Sequence, residues 1–270
     1  MRAIVLARGL GTRMREPDAA ARLSEGQRRA ADAGIKMMIP VHGRPFLDYV
    51  LGTLADAGIT DAALVVAPDH EAVRDYYRAH QPERLALSFV VQAEPRGTAN
   101  AVEAARQWTA GEPFLAMNAD NLYPVSSLQA LASLEEPGLP GFDREDLVRT
   151  GNIPPERVLS FALVEVDDEG YLTEIVEKPG DLPPASAFRR KNSPLVSMNL
   201  WRFDARIFEA CRDVPRSARG ELELPEAVAL ATRRGVRFKV IPARGPVLDL
   251  SRRGDAADVE RRLAGLAPRP

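Results

Sequence analysis

The sequence predicts an α/β domain in which helices flank a central mixed, mainly parallel sheet. Three observations predict this fold class. Short apolar runs alternate with helical patterns through the first half, a glycine-containing turn follows the first run, and a hairpin signal opens the second half. Apolar strands separated by helices are typical of βαβ units with parallel strands. We therefore expect a Rossmann-like first half that binds ligands at the carboxyl ends of its strands.

The first half of the chain supplies four strands and three helices. Runs rich in β-branched and apolar residues predict buried strands at residues 3–7, 63–67, 87–91 and 114–117. The stretches between them have helical spacing and predict helices at residues 45–57, 71–80 and 98–108. This alternation predicts the parallel part of the sheet.

The second half has a different pattern. Residues 158–166 and 171–176 flank the turn signal Asp168-Glu169-Gly170 and predict a hairpin. Further strands are expected at residues 195–203 and 236–241, and further helices at residues 204–210, 224–234 and 255–263. These local pairings predict that the sheet is mixed.

Two segments have the composition of insertions. Residues 16–34 are charged and alanine-rich, which predicts a helix, and residues 135–155 carry several Pro and Gly residues, which predict an irregular excursion. No break in composition is long enough to be a linker. We therefore expect a single domain over residues 1–270.

Composition excludes several classes of protein. The net charge of the 270 residues is −2, which argues against a general binder of nucleic acid or of membrane surfaces. The single cysteine, Cys211, excludes an intrachain disulfide and a cysteine-based metal cluster. No stretch approaches the ~20 apolar residues of a membrane-spanning helix, and the apolar run at the start is too short for a signal peptide. We expect a cytoplasmic protein.

The turn after the first strand has the features of a phosphate-binding loop. Gly9 and Gly11 allow a tight turn and a close approach of backbone N–H groups to phosphate oxygens. The dinucleotide fingerprint fails because Met14 stands where its third glycine is required, and the Gly-Lys-Ser/Thr of the ATP/GTP P-loop is absent. A plain turn between a strand and a helix remains an alternative.

Two segments near the start resemble signatures of the sugar-1-phosphate nucleotidylyltransferases, including those acting on glucose-1-phosphate and N-acetylglucosamine-1-phosphate. Residues 6–15 (LARGLGTRMR) resemble the opening signature, and residues 34–41 (GIKMMIPV) resemble the lysine-containing segment that follows it. The resemblance implies a Rossmann-like, GT-A-like nucleotidyltransferase domain. It also implies that Arg13 holds the β- and γ-phosphates and that Lys36 contacts the phosphates at the reacting centre. By the same likeness, nucleotide contacts are expected from Leu6, Ala7, Gly9, Gly11 and Thr12.

Residues 91–101 (VQAEPRGTANA) resemble the nucleobase-reading loop of the same family and are called the nucleobase loop below. The likeness implies that Gln92 binds the base edge with its amide, that Gly97 approaches the base through its backbone, and that Thr98 opens the next helix. An amide offers both a donor and an acceptor, which suits a pyrimidine edge. The alternative is a polar loop with a helix N-cap at Thr98.

Two acidic residues match the positions of the metal ligands in this family. Asn118 and Asp120 follow the apolar run at residues 114–117, and Asp249 precedes the last predicted helix. The resemblance implies that Asp120 and Asp249 bind a catalytic Mg²⁺ and that Asn118 contacts the nucleotide. Magnesium prefers oxygen ligands and bridges phosphates with few protein contacts. The alternative for either aspartate is a solvated turn residue.

The sugar phosphate is assigned to two later motifs by the same resemblance. Residues 175–179 (IVEKP) resemble a motif in which Glu177 accepts sugar hydroxyls and Lys178 binds the sugar phosphate, and residues 196–203 resemble the sugar-contacting strand, with Ser197 and Asn199 at its contact positions. A surface ion pair is the alternative for Glu177 and Lys178.

The sequence departs from the family pattern at several positions. Arg8 replaces a small residue before the phosphate-loop glycine, Ala119 replaces the glycine before the metal-binding aspartate, and Ala162 and Asn199 stand where glycines are usual. The spacing between Arg13 and Lys36 is also longer than usual because residues 16–34 intervene.

The predicted reaction joins an NTP to a sugar-1-phosphate and releases pyrophosphate, with UTP or dTTP and glucose-1-phosphate or a related hexose-1-phosphate as substrates. Two alternatives stay open. One is a cytidylyltransferase for a non-sugar phosphate or phosphonate, and the other is a catalytically degenerate nucleotide-binding regulatory subunit. No nucleic-acid or membrane partner is expected, and assembly into a homo-oligomer is left open.

Overall fold

The computed structural model describes residues 1–158, 160–176 and 195–270. The strands, in chain order, are β1 (Arg2–Leu6), β2 (Pro40–Val41), β3 (Arg44–Pro45), β4 (Asp61–Val66), β5 (Ala86–Val91), β6 (Phe114–Asn118), β7 (Asn121–Leu122), β8 (Gly138–Phe142), β9 (Ala162–Val166), β10 (Leu172–Val176), β11 (Leu195–Ser197), β12 (Leu200–Phe203), β13 (Lys239–Ala243) and β14 (Leu248–Asp249).

The helices, in chain order, are α1 (Thr12–Arg15), α2 (Glu25–Ala33), α3 (Phe46–Asp56), α4 (Glu71–Ala79), α5 (Thr98–Ala104), α6 (Arg106–Thr109), α7 (Val125–Ala132), α8 (Arg144–Thr150), α9 (Pro155–Val158), α10 (Ile207–Asp213), α11 (Leu224–Arg233) and α12 (Asp255–Arg262). A short 3₁₀ turn, Lys36–Met38, precedes β2.

Within the described residues, ten strands form one sheet in the order β10-β9-β11-β8-β12-β6-β1-β4-β5, with β13 paired to β8. Strands β6, β1, β4 and β5 are parallel, whereas β12, β8, β11, β9 and β10 pair antiparallel in turn. The sheet is therefore mixed, as predicted, with its parallel part built by the first half of the chain. The carboxyl ends of β1 and β6 lie side by side, because Leu6 is in register with Asn118.

Helices cover both faces of the sheet, and the side-chain alternation of β1 shows why. Ile4 is buried in a cluster with residues of α5, α10 and α11, whereas Val5 is buried in a second cluster with residues of α3 and α7. Successive side chains of a strand point to opposite faces, so a strand that is apolar at every position requires a cover on each side. The continuous apolar runs of the first half meet this requirement.

The predicted elements of the first half match the structure closely. Two predicted elements, one in each half of the chain, are divided in the structure. The helix expected at residues 98–108 is divided into α5 and α6. The strand expected at residues 195–203 is divided into β11 and β12 by Asn199, whose φ of 57° is left-handed. Asparagine adopts this conformation more readily than most residues do, so the chain can turn there without a glycine.

The expectation of an irregular excursion at residues 135–155 is wrong. This segment contains β8, which lies in the antiparallel part of the sheet, and α8. The glycines of β8 are needed for packing. A Cβ on Gly138 would lie 2.6 Å from the carbonyl oxygen of Lys239, and a Cβ on Gly141 would lie 2.6 Å from Leu195 Cδ1. Glycine here allows close strand packing rather than a turn.

The segment at residues 16–34 is helical only in its second part, where α2 begins with a capping box formed by Ser24 and Gln27. Gly34 ends α2 in a left-handed conformation, and its carbonyl group lies directly against Gly11. The end of the segment at Gly34 therefore lies against the phosphate-binding loop from which the segment starts. Among the described helices, none combines the length and the apolar character needed to cross a membrane.

Candidate active site

A cleft lies at the carboxyl ends of the parallel strands, where ligands bind in open α/β sheets. It receives the loops that follow β1, β5 and β6. Eight of the residues expected at the site line it: Leu6, Gly9, Lys36, Gln92, Gly97, Thr98, Asn118 and Asp120. The other lining residues are Arg8, Leu10, Pro95, Ala101 and Glu221.

One end of the cleft is charged. Lys36 lies in the 3₁₀ turn, and its Nζ forms an ion pair with Asp120 Oδ2. The aliphatic part of Lys36 passes the phosphate loop (residues 8–13), because a Cβ on Gly9 would lie 3.6 Å from Lys36 Cε. The fold therefore brings a cation and a carboxylate that are 84 residues apart to the end of the cleft beside this loop.

A second carboxylate lies next to this pair. Asp249 is in β14, which pairs with β7, and the N–H of Leu250 donates to the Asp120 carbonyl oxygen at 2.9 Å. The Ser251 hydroxyl lies 2.8 Å from Asp249 Oδ1 and 3.4 Å from Asp120 Oδ2. The hydroxyl thus bridges the two carboxylates, and the structure places the two aspartates side by side.

Asp249 is almost fully buried and is held by several donors. Its Oδ2 pairs with Arg157, a buried guanidinium that also lies 2.7 Å from Asp255 Oδ1, and its Oδ1 accepts from Asn121 Nδ2 at 2.9 Å. Burial and the charge of Asp120 raise the pKa of Asp249 to about 6, although Arg157 opposes this shift. The two neighbouring carboxylates therefore repel each other in a region of low polarity.

The chemistry of this pair fits a magnesium ion. Both side chains offer carboxylate oxygens, the ligands that Mg²⁺ prefers, and a divalent cation would relieve the repulsion that raises the pKa of Asp249. Among the described residues, none donates a hydrogen bond to Asp120 Oδ1, and Asp120 lines the cleft. Oδ1 of Asp120 therefore has no competing donor among the described residues and can bind a cation.

The other end of the cleft is less polar, with Leu6, Pro95 and Ala101 around Gln92. The Gln92 side-chain nitrogen donates to the Gly97 carbonyl oxygen at 3.0 Å and to Asn100 Oδ1 at 2.9 Å. Both amide hydrogens are therefore used within the protein. The expectation that Gln92 offers a base both a donor and an acceptor is wrong, because only its oxygen remains.

The nucleobase loop is tied to the segment before α11. Gly97 has a φ of 114°, and a Cβ at this position would lie 2.5 Å from the Leu222 carbonyl oxygen. The N–H of Leu224 donates to the Thr98 hydroxyl at 2.9 Å. Gly97, not Thr98, is the N-cap residue of α5. The structure therefore gives both residues a role in fixing the loop.

The side chain of Arg8, the first residue of the phosphate loop, is directed to the nucleobase loop. Its Nε donates to the Gln92 carbonyl oxygen at 2.7 Å and its Nη2 donates to the Ala93 carbonyl oxygen at 3.1 Å. Its Nη1 is buried and has no hydrogen-bond partner among the described residues. The guanidinium is thus held beside Gln92 with one nitrogen unused.

Several expected site residues do not line the cleft. Thr12 and Arg13 are exposed at the start of α1, and Ala7 is buried behind the phosphate loop. Gly11 has a φ of 62° and packs against Gly34, so its glycine is required by the fold. Glu177 and Lys178 lie outside the described residues.

Ser197 lies at the end of β11 and Asn199 in the turn before β12, and neither is among the residues that line the cleft. Within the part of the chain that the structure describes, Ser197 Oγ and Asn199 Oδ1 are buried without a hydrogen-bond partner. The Tyr123 hydroxyl donates to the Met198 carbonyl oxygen at 2.6 Å and fixes the turn between the two strands. Buried polar atoms of this kind usually have partners, so these two atoms are candidates for ligand contacts.

A sequence model of the family described as nucleotidyl transferase matches residues 2–245. The chain belongs to this nucleotidyl transferase family. It is 28% identical to the UTP–glucose-1-phosphate uridylyltransferase AglF of Haloferax volcanii, over 97% of this chain and 96% of AglF. It is 28% identical to a glucose-1-phosphate thymidylyltransferase of Streptomyces antibioticus, over 100% of this chain and 68% of that protein.

Two further similarities bear on fold and substrate. A CMP-5'-(3-aminopropyl)phosphonate synthase of Streptomyces rubellomurinus is 32% identical, over 74% of this chain and 28% of the relative. A crystal structure of a UDP-glucose pyrophosphorylase complexed with UDP-glucose has a TM-score of 0.73 at 19% identity, over 97% of both chains, which shows a shared fold. Some relatives are longer, and this chain spans 56% and 46% of two of them.

Two departures from the pattern of the nucleotidyl transferases are accommodated locally. Asn199 keeps the left-handed backbone conformation that a glycine would adopt. Ala119 is buried, and its N–H donates to the Leu6 carbonyl oxygen at 3.1 Å, which continues the pairing of β6 with β1. Asp120, which follows, is therefore positioned without a glycine.

Sequence reasoning missed four polar residues of the site. Ser251 and Asn121 lie close to Asp249 and Asp120 in the sequence, and Asn100 lies inside the nucleobase loop, so proximity to the motifs could have indicated them. Arg157 lies in the short helix α9, where no motif marks it. Its role depends on the fold alone.

Proposed function

We propose that this protein is a sugar-1-phosphate nucleotidylyltransferase that uses UTP or dTTP with glucose-1-phosphate or a related hexose-1-phosphate. One observation carries the proposal: a single cleft has Lys36 and Asp120 at a charged end and Gln92 in less polar surroundings at the other. A nucleoside triphosphate has the same division, with a charged tail and a flat base. The printed names of AglF and the thymidylyltransferase support the choice of substrates.

In the proposed reaction, a phosphate oxygen of the sugar phosphate attacks the α-phosphorus of the NTP in line, and the bond to the β-phosphate oxygen breaks. No general base is required, because a phosphate monoester is already anionic. Lys36 would donate to the phosphate oxygens at the reacting centre, where negative charge increases. The backbone of Gly9 and the side chain of Arg13 would hold the departing pyrophosphate.

Asp120 and Asp249 would hold the Mg²⁺, and their ligand chemistry fits it as described above. When bound, the ion supplies positive charge beside the triphosphate and lowers the repulsion between two anionic substrates. Ser251, Asn121 and Arg157 would orient the carboxylates, because each contacts Asp249 directly. Hydrogen bonds and ion pairs to a carboxylate that binds a metal fix the direction in which its oxygens point.

The sugar phosphate would meet Glu177, Lys178, Ser197 and Asn199. The buried and unpartnered oxygens of Ser197 and Asn199 support a polar ligand at β11–β12. We also propose that residues 1–270 act as one domain and that the protein works in the cytoplasm, since both substrates are soluble metabolites.

The test combines four NTPs with several sugar-1-phosphates and measures pyrophosphate release by the full chain with Mg²⁺. We expect turnover with UTP or dTTP and a hexose-1-phosphate, and loss of that turnover in Asp120→Ala. Asp75→Ala is the matched control, because Asp75 is an exposed carboxylate on α4 that pairs with Arg78. Pyrophosphate release that survives in Asp120→Ala would contradict the proposed site.

A second candidate is a cytidylyltransferase for a phosphonate, which the 32% identical phosphonate synthase favours. Turnover of CTP with an aminoalkylphosphonate, and none with hexose-1-phosphates, would select it. A degenerate subunit would bind NTP without turnover of any substrate. Against this last alternative, the Arg8 side chain is bonded to two backbone carbonyl groups of the nucleobase loop and is not directed at the glycines of the phosphate loop.

A further inference from the structure

The nucleobase loop presents an unusually restricted set of hydrogen-bonding groups. A backbone carbonyl can only accept a hydrogen bond, so the nitrogen of the Gln92 amide must face Gly97. Asn100 Oδ1 then takes the second hydrogen of the same nitrogen at 2.9 Å. The amide is fixed in one of its two orientations, and its oxygen is the part left to meet a ligand in the cleft.

Arg8 adds a donor beside this acceptor. Its Nε is bonded to the backbone oxygen of Gln92 itself, so the two side chains are neighbours in the cleft lining. Its Nη1 is buried, and no group in residues 1–158, 160–176 or 195–270 accepts from it. A buried charged donor without a partner is costly unless a ligand supplies an acceptor.

We propose that Asn100 and Arg8 set the choice of nucleobase: Asn100 holds Gln92 as an acceptor, and Arg8 supplies the neighbouring donor, so that the site selects the imide edge of uracil or thymine over cytosine. The inference rests on the proposed function, because it places the base of an NTP at this end of the cleft. Asn100 is a positioning residue, since it acts through Gln92.

The physical basis is the pattern of the base edge. Uracil and thymine carry an N3–H donor between two carbonyl oxygens, which complements an amide oxygen and a guanidinium nitrogen. Cytosine carries an unprotonated N3 and an amino group in the corresponding positions. Its N3 would face the oxygen of Gln92 and its amino group would face Arg8, so acceptor meets acceptor and donor meets donor. Two such mismatches leave buried groups unpaired and reduce binding strongly.

The test measures binding of UTP, dTTP, CTP and N3-methyl-UTP to the full chain by calorimetry, with Mg²⁺ and without sugar phosphate. We expect the wild type to bind UTP and dTTP at least about tenfold more tightly than CTP or N3-methyl-UTP, the ratio that one unmatched hydrogen bond gives. N3-methyl-UTP tests the N3–H contact without any change to the protein. Equal affinity for UTP and N3-methyl-UTP, or for UTP and CTP, would overturn the proposal.

Three variants assign the roles. Asn100→Asp keeps an oxygen that accepts from Gln92, so the ratio of UTP to CTP affinity should be retained. Asn100→Leu removes this acceptor, and the ratio should fall to about threefold or less. Arg8→Met should weaken UTP binding about three- to tenfold. Thermal unfolding of each variant checks the fold, and an unchanged ratio in a folded Asn100→Leu protein would refute the role of Asn100.

The outcomes also separate this inference from the proposed function. If no NTP binds the wild type, the proposed function fails. If NTPs bind and support turnover without discrimination between uracil and cytosine, the proposed function stands and the assignment of Asn100 and Arg8 is wrong.

Discussion

The two loops that border the cleft differ in how their polar groups are used. In the nucleobase loop, Gln92 and Thr98 are bonded within the protein, and Gly97 packs against the backbone of Leu222. In the phosphate loop, Thr12 and Arg13 are exposed, and no described residue pairs with Arg13. The groups proposed to contact the base are therefore fixed by the protein, whereas Arg13, proposed to bind the phosphates, is exposed to solvent. Changes on the two sides should therefore have different effects.

The largest expected effect is on the charged side, where Lys36→Met should lower kcat about 10²- to 10³-fold. Under the proposed function, the variant removes a donor directed at the reacting phosphate. The free energy of unfolding should also fall, by about 3 kcal/mol, because both side chains of the Lys36–Asp120 pair are largely buried and the change leaves Asp120 without its cation beside Asp249. Pyrophosphate release and urea unfolding measure the two quantities. Lys239→Met is the control and should leave kcat unchanged, because Lys239 is a half-buried lysine of β13 whose Nζ donates to the Glu169 carbonyl oxygen and which does not line the cleft.

On the nucleobase side, Gly97→Ala should lower the free energy of unfolding by about 2–3 kcal/mol or more. The added Cβ meets the Leu222 carbonyl oxygen and the residue is held at a φ of 114°. Gly111→Ala is the matched control, because Gly111 has a φ of 82° with no atom within 4 Å of its Cβ position. That variant should lose only about 1 kcal/mol. Equal losses would show that the contact with Leu222 is unimportant.

The next effect in size is expected for Arg13→Met, which changes the phosphate loop. We expect the KM for the NTP to rise about tenfold with no measurable loss of stability, since the proposed partner of Arg13 is the triphosphate. Steady-state kinetics and thermal unfolding test this. Arg29→Met on α2, where Arg29 pairs with Glu25, controls for the loss of an exposed positive charge. A loss of stability without a change in KM would assign Arg13 to the fold instead.

The smallest effect is expected for Thr98→Val, which removes the acceptor of the Leu224 N–H at the start of α11. The cost should be about 1 kcal/mol, as for the loss of a capping bond. Thr232→Val is the comparison, because the Thr232 hydroxyl donates to the Val228 carbonyl oxygen within the same helix. Loss of the Thr232 hydroxyl should lower the free energy of unfolding by less, because the Val228 carbonyl group remains part of the helix. Urea unfolding of the two variants decides the order.

The parts of the fold that could be predicted from the sequence are those with strong periodicity. Strands β1, β4 and β6 are apolar at successive positions, so their burial on both faces was readable. Strand β5 has a similar pattern, but it ends the strand order of the described sheet and none of its residues is buried, so the expectation of a buried strand there is wrong. Strand β8 was not readable, because Gly138, Pro140 and Gly141 indicate a turn in isolation. Only the neighbouring Lys239 and Leu195 show that these glycines serve close packing.

Site residues that belong to a sequence motif could be predicted, whereas residues that only the fold brings to the site could not. Resemblance to known motifs placed Lys36, Gln92 and Asp120, and all three line the cleft. It gave the wrong hydrogen-bonding capacity for Gln92, because the Gly97 carbonyl oxygen and Asn100, eight residues further on, take both hydrogens of its amide nitrogen. Arg157 carried no sequence signal, since its partner Asp249 is 92 residues away.

The contact between Gly11 and Gly34 explains how the longer spacing before Lys36 is accommodated. Gly11 precedes the 16–34 segment and Gly34 ends it, and the two glycines pack against each other. The distance in space between Arg13 and Lys36 therefore does not depend on the number of residues in this segment. Evolution could lengthen or trim this excursion while the spatial relation of the two cations stayed the same.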